Sequence, residues 1–202
     1  MLALPSMTSI AGTLSLVCHP QTPARAIRGI AVSASGTPGG ILTLSFSLTG
    51  DLRDVRIPEP RSSGRLDGLW RHTCFEAFVM TGEGPGYREF NFSPSGEWAG
   101  YAFLGYRYGG KPVGDPGPVI RVRRSGDRLV LDADIRPECL PSGCLLRLGL
   151  SAVVENADGM LSYWALQHPP GKPDFHHTDA FSLPLVLPGT PDANVLTDGV
   201  RP

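Results

Sequence analysis

The sequence predicts an all-β fold, in which about ten short antiparallel strands close into a sandwich or a barrel and so bury their apolar faces. Three observations predict it. The 202 residues include 25 glycines and 20 prolines, and so many breakers are typical of short elements joined by turns. Apolar residues alternate with polar ones at period two. No segment longer than about ten residues carries the apolar stripe of an amphipathic helix.

The first half of the chain contains five such alternating runs. Each run stops at a cluster of turn residues, such as "SGTPGG", "IPEPRSSGR" or "TGEGPG", where glycine and proline supply the backbone angles that turns need. The predicted strands are residues 13–18, 26–33, 41–48, 73–80 and 87–93.

The second half follows the same pattern and adds two hairpin signals. "RSGDR" and "ENADGML" each place a glycine-containing turn between two alternating runs, which favours direct antiparallel pairing of the flanking strands. A helical turn is predicted near residues 137–140. The strands predicted here are residues 98–104, 119–123, 128–135, 145–154 and 161–166.

Length and charge limit the functional classes. A chain of 202 residues is suited to one domain with a sizeable core. The formal net charge of −1 gives no electrostatic reason to expect nucleic acid or an anionic membrane as a partner. No window approaches the length of a membrane helix. The oligomeric state is left open by the sequence.

The amino-terminal stretch predicts the compartment. It has no basic n-region and no unbroken apolar run, so we expect a first strand rather than a signal peptide and a cytoplasmic protein. The four cysteines of the chain are then expected to be thiols. Cys139 and Cys144 in "ECLPSGC" are near enough in sequence to pair if they are oxidised.

The predicted strand in "YREFNFSPSGEW" has one apolar face and one polar face. Alternation points Phe90 and Phe92 to the core, whereas Tyr87, Glu89 and Asn91 point to the opposite side. That side is either a solvated surface or a ligand face. The residue types favour a ligand face, because carboxylates and amides beside aromatics suit the hydroxyls and C–H faces of a sugar.

The preceding strand, "HTCFEAFV", is expected to extend that face. Phe75, Ala77 and Val79 alternate with Glu76, and the short "TGEGPG" connection favours pairing with residues 87–93. Glu76 and Glu89 then share one face. Carboxylates placed so close repel each other unless something donates to them.

The three tryptophans differ in position. Trp70 precedes a strand and Trp98 follows the "SPSG" turn, so both lie at strand ends, where an aromatic ring can stack on a ligand. Trp164 lies within a strand and is expected to pack in the core.

Three histidines cluster in "HPPGKPDFHHTD", namely His168, His176 and His177. Consecutive residues of an extended chain point apart, and no Cys-x-x-Cys or His-Glu-x-x-His motif accompanies them. We therefore expect His176 and His177 to fix this loop or to line the mouth of a pocket, with a metal site as the alternative. No Gly-x-Ser-x-Gly or phosphate-binding loop indicates nucleophilic or nucleotide chemistry.

Several long segments, among them "GLWRHTCFEAFV", "YREFNFSPSGEWAGYAFLGYR" and "YWALQHPPGKPDFHHTDAF", resemble the bacterial DOMON-like proteins, which are related to the family 9 carbohydrate-binding modules. The resemblance covers roughly residues 14–185. It implies a single-domain β-sandwich of jelly-roll or immunoglobulin-like type over residues 13–187, preceded by an extension at 1–12. Residues 188–202 lack periodicity and are predicted to be a tail.

The resemblance implies a ligand-binding protein, although the wider superfamily includes both sugar binders and b-type haem binders. We predict non-catalytic binding of a carbohydrate or related polyhydroxy compound on the concave polar sheet face, with no resident cofactor or metal. One alternative is a haem or redox module that uses Met80, and another is a metal-dependent enzyme that uses His168, His176 and His177. The predicted ligand-binding residues are Glu76, Glu89, Asn91, Trp70, Trp98, Tyr87, His176 and His177.

Overall fold

The strands of the protein form one curled antiparallel system. The structure, a computed structural model, describes residues 8–9, 12–82, 84–113, 116–143 and 145–187. Four 3₁₀ helices, Leu52–Asp54, Leu69–Arg71, Pro137–Cys139 and Thr178–Ala180, interrupt the loops. The strands are β1 (Thr8–Ser9), β2 (Leu14–Cys18), β3 (Ile27–Gly36), β4 (Leu42–Gly50), β5 (Cys74–Thr81), β6 (Tyr87–Phe92), β7 (Trp98–Phe103), β8 (Lys111–Pro112), β9 (Val119–Ser125), β10 (Arg128–Ile135), β11 (Leu145–Glu155), β12 (Leu161–Ala165) and β13 (Leu183–Val186).

These strands make two sheets that share an edge. Sheet A has the order β2-β3-β4-β10-β9, with β1 against β3, and sheet B has the order β8-β7-β6-β5-β11-β12, with β13 against β11. The pairs Trp164↔Cys18 and Ala165↔Val17 join β12 to β2. The rings of Phe46 and Phe75, from opposite sheets, lie 5.0 Å apart. The fold is therefore an all-β sandwich, as the sequence predicts.

The two sheets differ in what covers their outer faces. In sheet A, buried residues alternate with partly exposed ones along β4 and β10, because only the inner face meets the core. In sheet B, consecutive residues of β5 and β11 are buried on both faces. Residues 166–182, hereafter the covering segment, pack Phe175 and Phe181 against that outer face.

The ten predicted strands are confirmed, with ends that differ by at most three residues. β9–β10 and β11–β12 are hairpins through the two predicted turns, and the predicted helical turn is the 3₁₀ helix Pro137–Cys139. β1, β8 and β13 were not predicted, because two to four residues are too few to show an alternation.

Some predictions fall on residues outside the described ranges. The proposed tail at residues 188–202 and Cys144 lie there, so the expectation that Cys139 and Cys144 are thiols, which could pair only if oxidised, stays a prediction. Within the described residues, no helix has both the length and the apolar character needed to cross a bilayer.

A candidate ligand-binding pocket

A pocket of about 830 Å³ lies on the outer face of sheet B, beneath the covering segment and beside the 3₁₀ helix Leu69–Arg71. Acidic residues form its floor, aromatic rings form its walls, and charged residues stand at its rim. The floor residues are Glu76 and Glu89, the wall residues are Trp70, Phe78, Tyr101, Phe103, Tyr163 and Phe175, and the rim residues are Asp67, Arg71, Arg107 and Lys172.

The register of β5 against β6 sets the two floor carboxylates side by side. Glu76 faces Asn91 and Phe78 faces Glu89 across the ladder, so the two glutamates are diagonal neighbours on one face. Glu76 is 3% exposed and Glu89 6% exposed. Both are therefore almost wholly withdrawn from water.

Only neutral groups hydrogen-bond to these carboxylates. The Asn91 side-chain amide donates to Glu89 Oε1 at 2.7 Å, and the Ser151 hydroxyl donates to Glu76 Oε2 at 3.4 Å. Glu76 Oε1 has no hydrogen-bond partner among the described residues. Neither carboxylate makes a salt bridge with arginine or lysine within that part of the chain.

This environment favours the protonated form of both acids. Burial raises the pKa of Glu76 well above its ordinary value, and repulsion from Glu89 adds to the rise, whereas Ser151 and Arg107 oppose it. Burial also raises the pKa of Glu89, against the opposing effects of Asn91 and Arg107. Ionisation of the pair is therefore unfavourable in the unliganded protein.

A short hydrogen-bond chain fixes His176 above the floor. The backbone N–H of Arg107 donates to the Tyr87 hydroxyl at 3.1 Å, and that hydroxyl lies 2.7 Å from His176 Nδ1. Because Tyr87 accepts from Arg107, its own proton is assigned to His176 Nδ1. Nε2 then carries the imidazole proton and lies 3.7 Å from Glu89 Oε2.

That 3.7 Å contact is not an ion pair at neutral pH. Burial, followed by the nearby Arg107, lowers the pKa of His176 to about 4, so the imidazole is neutral. Arg107 has a φ of +52°, in the left-handed region that side chains other than glycine adopt only at a cost. Its side chain donates to Asp174 at 2.9 Å, and Asp174 also accepts from the Tyr106 hydroxyl.

The aromatic walls come from five separate parts of the chain, including β5 with Phe78 and β12 with Tyr163. Tyr101 and Phe103 project from β7, Phe175 belongs to the covering segment, and Trp70 stands in the 3₁₀ helix with 47% of its surface exposed. Phe103 stacks on Tyr87 at 4.8 Å between ring centroids. The Tyr101 hydroxyl donates to Asp67, and burial with this bond raises the pKa of Tyr101 to about 12.

The structure brings most of the predicted ligand-binding residues together. Glu76, Glu89, Trp70 and His176 line the pocket. Asn91 and Tyr87 lie directly behind them and hold Glu89 and His176 through the bonds described above.

Trp98 and His177 are not at this pocket. Trp98 faces Phe92 across the ladder and so lies on the inner face of sheet B, where a Cβ on Gly117 would fall 2.1 Å from its indole. Its place after a turn gave no information about which face it occupies. His177 caps the 3₁₀ helix Thr178–Ala180 and accepts from the Asp179 N–H at 3.2 Å.

Tyr101, Phe103, Arg107 and Phe175 were not among the predicted site residues. Alternation along β7 was a usable signal for Tyr101, which faces Glu89 directly, and for Phe103 two residues on. Arg107 and Phe175 lie in irregular segments, where no period indicates which way a side chain points.

The groups behind the haem and metal alternatives have other contacts. His168 Nε2 bonds the Val17 carbonyl at 2.8 Å, and His72 bonds Glu155. Met80 is buried in the aromatic cluster beneath the covering segment. Within the described residues, no group of three or more histidine, cysteine, aspartate or glutamate side chains is arranged to hold a metal ion. Trp164 packs in the core, as predicted.

Two solved structures are similar to this fold. A Bacteroides uniformis protein, provisionally described as carbohydrate-binding, matches with a TM-score of 0.67 at 14% identity over 87% of this chain and 86% of that chain. A family 9 carbohydrate-binding module from Caldicellulosiruptor kristjanssonii, in complex with glucose, matches with a TM-score of 0.48 at 10% identity over 98% of this chain and 85% of that chain. No family model and no curated protein sequence matches the chain. At 14% identity, the similarity to the Bacteroides uniformis protein shows a shared fold.

Proposed function

We propose that the protein binds a carbohydrate or related polyhydroxy compound, without catalysis, in the pocket over sheet B. The observation that carries the proposal is the pair of buried carboxylates, Glu76 and Glu89, open to a cavity with aromatic walls. An enclosed carboxylate requires hydrogen-bond donors, and a ligand can supply them.

The chemistry of the walls matches the same ligand class. A sugar presents hydroxyl donors at its edge and apolar C–H groups on its faces, so it needs acceptors and aromatic surfaces together. Glu76 and Glu89 supply acceptors, and Tyr101 and Trp70 supply ring faces. The cavity volume of about 830 Å³ is in the usual range for a small-molecule site.

The placement of the two acids favours binding over glycoside cleavage. Two-carboxylate hydrolysis uses groups that flank the scissile bond from different sides. Glu76 and Glu89 project from adjacent strands of one sheet in the same direction. Both therefore approach a ligand from below, which suits recognition of neighbouring hydroxyls.

The comparisons support this proposal at the level of fold. The Bacteroides uniformis protein, with its provisional carbohydrate-binding description, shares most of the architecture. The DOMON-like resemblance noted in the sequence points the same way, and membership of that group is part of the proposal.

The test is a screen of saccharides and small polyhydroxy metabolites against wild type, Glu89→Gln and Asn91→Ala, followed by calorimetric titration of each hit. We expect wild type to bind at least one saccharide and each variant to lose about tenfold or more in affinity, because a charge-assisted bond or its support is removed. Circular dichroism confirms that the variants are folded. The proposal fails if no saccharide binds, or if folded variants bind as well as wild type.

A further inference from the structure

The floor of the pocket holds two adjacent carboxyl groups, whose negative charge, once they ionise, has no hydrogen-bonded cation among the residues that the structure describes to match it. Glu76 and Glu89 lie within hydrogen-bonding range of Ser151 and Asn91 only, and Glu76 Oε1 has no hydrogen-bond partner in the described part of the chain. The rim cations do not meet this charge by hydrogen bonds. Arg107 is paired with Asp174, and Arg71 lies over the Trp70 ring at 5.2 Å.

We infer that the pocket selects a saccharide that carries a protonated amine, such as a hexosamine with a free ammonium group, seated between Glu76 and Glu89. This inference rests on the proposed function and names its ligand class. An ammonium group offers three donors and a positive charge, which match two adjacent carboxylates better than hydroxyls do.

The walls add to the preference for a cation. Tyr101, Phe103 and Tyr163 surround the floor with aromatic rings, whose negative faces attract an ammonium ion once it is desolvated. When a ligand amine enters this floor, its contacts with water are replaced by contacts with two carboxylates and several aromatic rings. An N-acetylated amine has neither the charge nor the three donors and forfeits both attractions.

Binding of such a cation is coupled to proton release. The titratable groups that face the pair are Cys74 on β5, Tyr87 on β6, Tyr101 on β7, and Arg107 and His176 from the two loops above, with Asp67, Arg71 and Lys172 farther out at the rim. Near neutral pH the thiol and both phenols keep their protons, because their pKa values are raised. His176 is neutral and Arg107 is charged. A bound cation favours the ionised form of Glu76 and Glu89, so among these groups this pair is the source of any proton released on binding.

The experiment compares matched ligand triads: glucosamine, N-acetylglucosamine and glucose, with the corresponding galactose and mannose series. Titration calorimetry at pH 7 in two buffers of different ionisation enthalpy gives affinity and proton release together. In the series that binds, we expect the free amine to bind about tenfold tighter than the neutral sugar, equal to about 1.4 kcal/mol, because hydrogen bonds to charged groups are stronger than those between neutral groups, with protons released to the buffer.

Variants separate the two levels of the proposal. Glu76→Gln is expected to abolish the difference in affinity between the free amine and the neutral sugar, whatever affinity the variant keeps, and Glu89→Gln provides the same test if the first variant does not fold. Equal affinity for all members of a triad overturns the amine inference and leaves the proposed function standing. Absence of binding by every saccharide overturns both. A preference retained in both folded variants also overturns the inference.

Discussion

Each sheet of this sandwich carries a pair of acidic residues on its outer face, and the two pairs have opposite surroundings. On sheet A, Asp132 and Asp134 lie on β10 and face β9, which supplies Arg123 and Arg121. The Arg123–Asp132 and Arg121–Asp134 pairs measure 2.7 and 2.5 Å. Ser45 also donates to Asp132 at 2.6 Å. Each carboxylate there has a cation and access to water.

On sheet B, Glu76 and Glu89 accept hydrogen bonds from neutral groups rather than from arginine. The covering segment packs over this outer face, whereas the outer face of sheet A is open to water. Alternation and residue type alone do not separate the two faces, because on each of them acidic side chains occupy outward-facing positions of strands with an alternating sequence. The difference lies in what the neighbouring strand and the covering segment supply. We propose that the enclosed acidic pair of sheet B, which lacks cations and opens to a cavity, is a ligand site, whereas the ion-paired and solvated acids of sheet A form an ordinary surface.

The largest expected effect comes from removing the cover of sheet B. Phe181 is fully buried and stacks on Phe78 at 5.9 Å between centroids, so Phe181→Ala should lower the free energy of unfolding by about 3–5 kcal/mol through lost contacts and a cavity. Chemical denaturation measures it. Val130→Ala, on the outer face of sheet A, is the matched control and should cost about 1 kcal/mol or less. Equal losses at both positions would show that the covering segment contributes little.

A smaller loss is expected from the hydrogen-bond chain over the floor. Tyr87→Phe removes the hydroxyl that joins Arg107 to His176, so the Arg107 backbone N–H and an imidazole nitrogen of His176 lose their partner. We expect a cost of about 1–2 kcal/mol in stability and weaker ligand binding. Tyr106→Phe, which removes only an exposed hydroxyl from Asp174, serves as the control. Unchanged stability and affinity in Tyr87→Phe would contradict the role given to this chain.

The floor acids should make wild type less stable as pH rises. The pKa of Glu76 is raised in the folded state, so between its ordinary value of 4.5 and the folded value the native protein binds more protons than the unfolded chain. The free energy of unfolding therefore falls as pH increases through that window. The glutamine side chain of Glu76→Gln does not titrate. The free energy of unfolding of this variant should therefore rise relative to that of wild type by on the order of 1 kcal/mol between pH 4.5 and pH 9.

Thermal melts of wild type and Glu76→Gln across that range measure the difference. His176 contributes in the opposite direction, because its pKa of about 4 lies below the ordinary 6.5 and stability is lost as pH falls between them. That contribution is common to both proteins and cancels. If the stability difference between the two proteins does not change with pH, the pKa of Glu76 is not raised in the folded protein.

The smallest effect belongs to the exposed face of sheet A. The Arg123 side chain is 62% exposed in its pair with Asp132, and exposed ion pairs contribute about 0–1 kcal/mol. Arg123→Ala should therefore change stability by no more than about 0.5 kcal/mol in denaturant titration at physiological salt. A loss above about 2 kcal/mol would mean that the acidic pair of sheet A depends on its cations more than its exposure allows.

Much of the fold follows from the sequence because its cause is local. Period-two alternation with glycine and proline turns placed ten strands, and the direct β5–β6 connection placed Glu76 beside Asn91. The same pattern could not show that residues 166–182 return to cover that face, since this contact joins distant parts of the chain. Trp98 shows the same limit, because a strand-end position does not specify an inner or outer face. Arg107 shows it again, with its side chain directed by a strained turn.

The most direct test of the central claim, that the outer face of sheet B is the ligand site, is a crystal structure of the protein with the tightest-binding saccharide. We predict ring hydroxyl or amine groups within about 2.6–3.2 Å of the Glu76 and Glu89 carboxylates, and a sugar face against Tyr101 or Trp70. A saccharide bound on sheet A near Asp132, or bound elsewhere with the sheet B pocket empty, would contradict it.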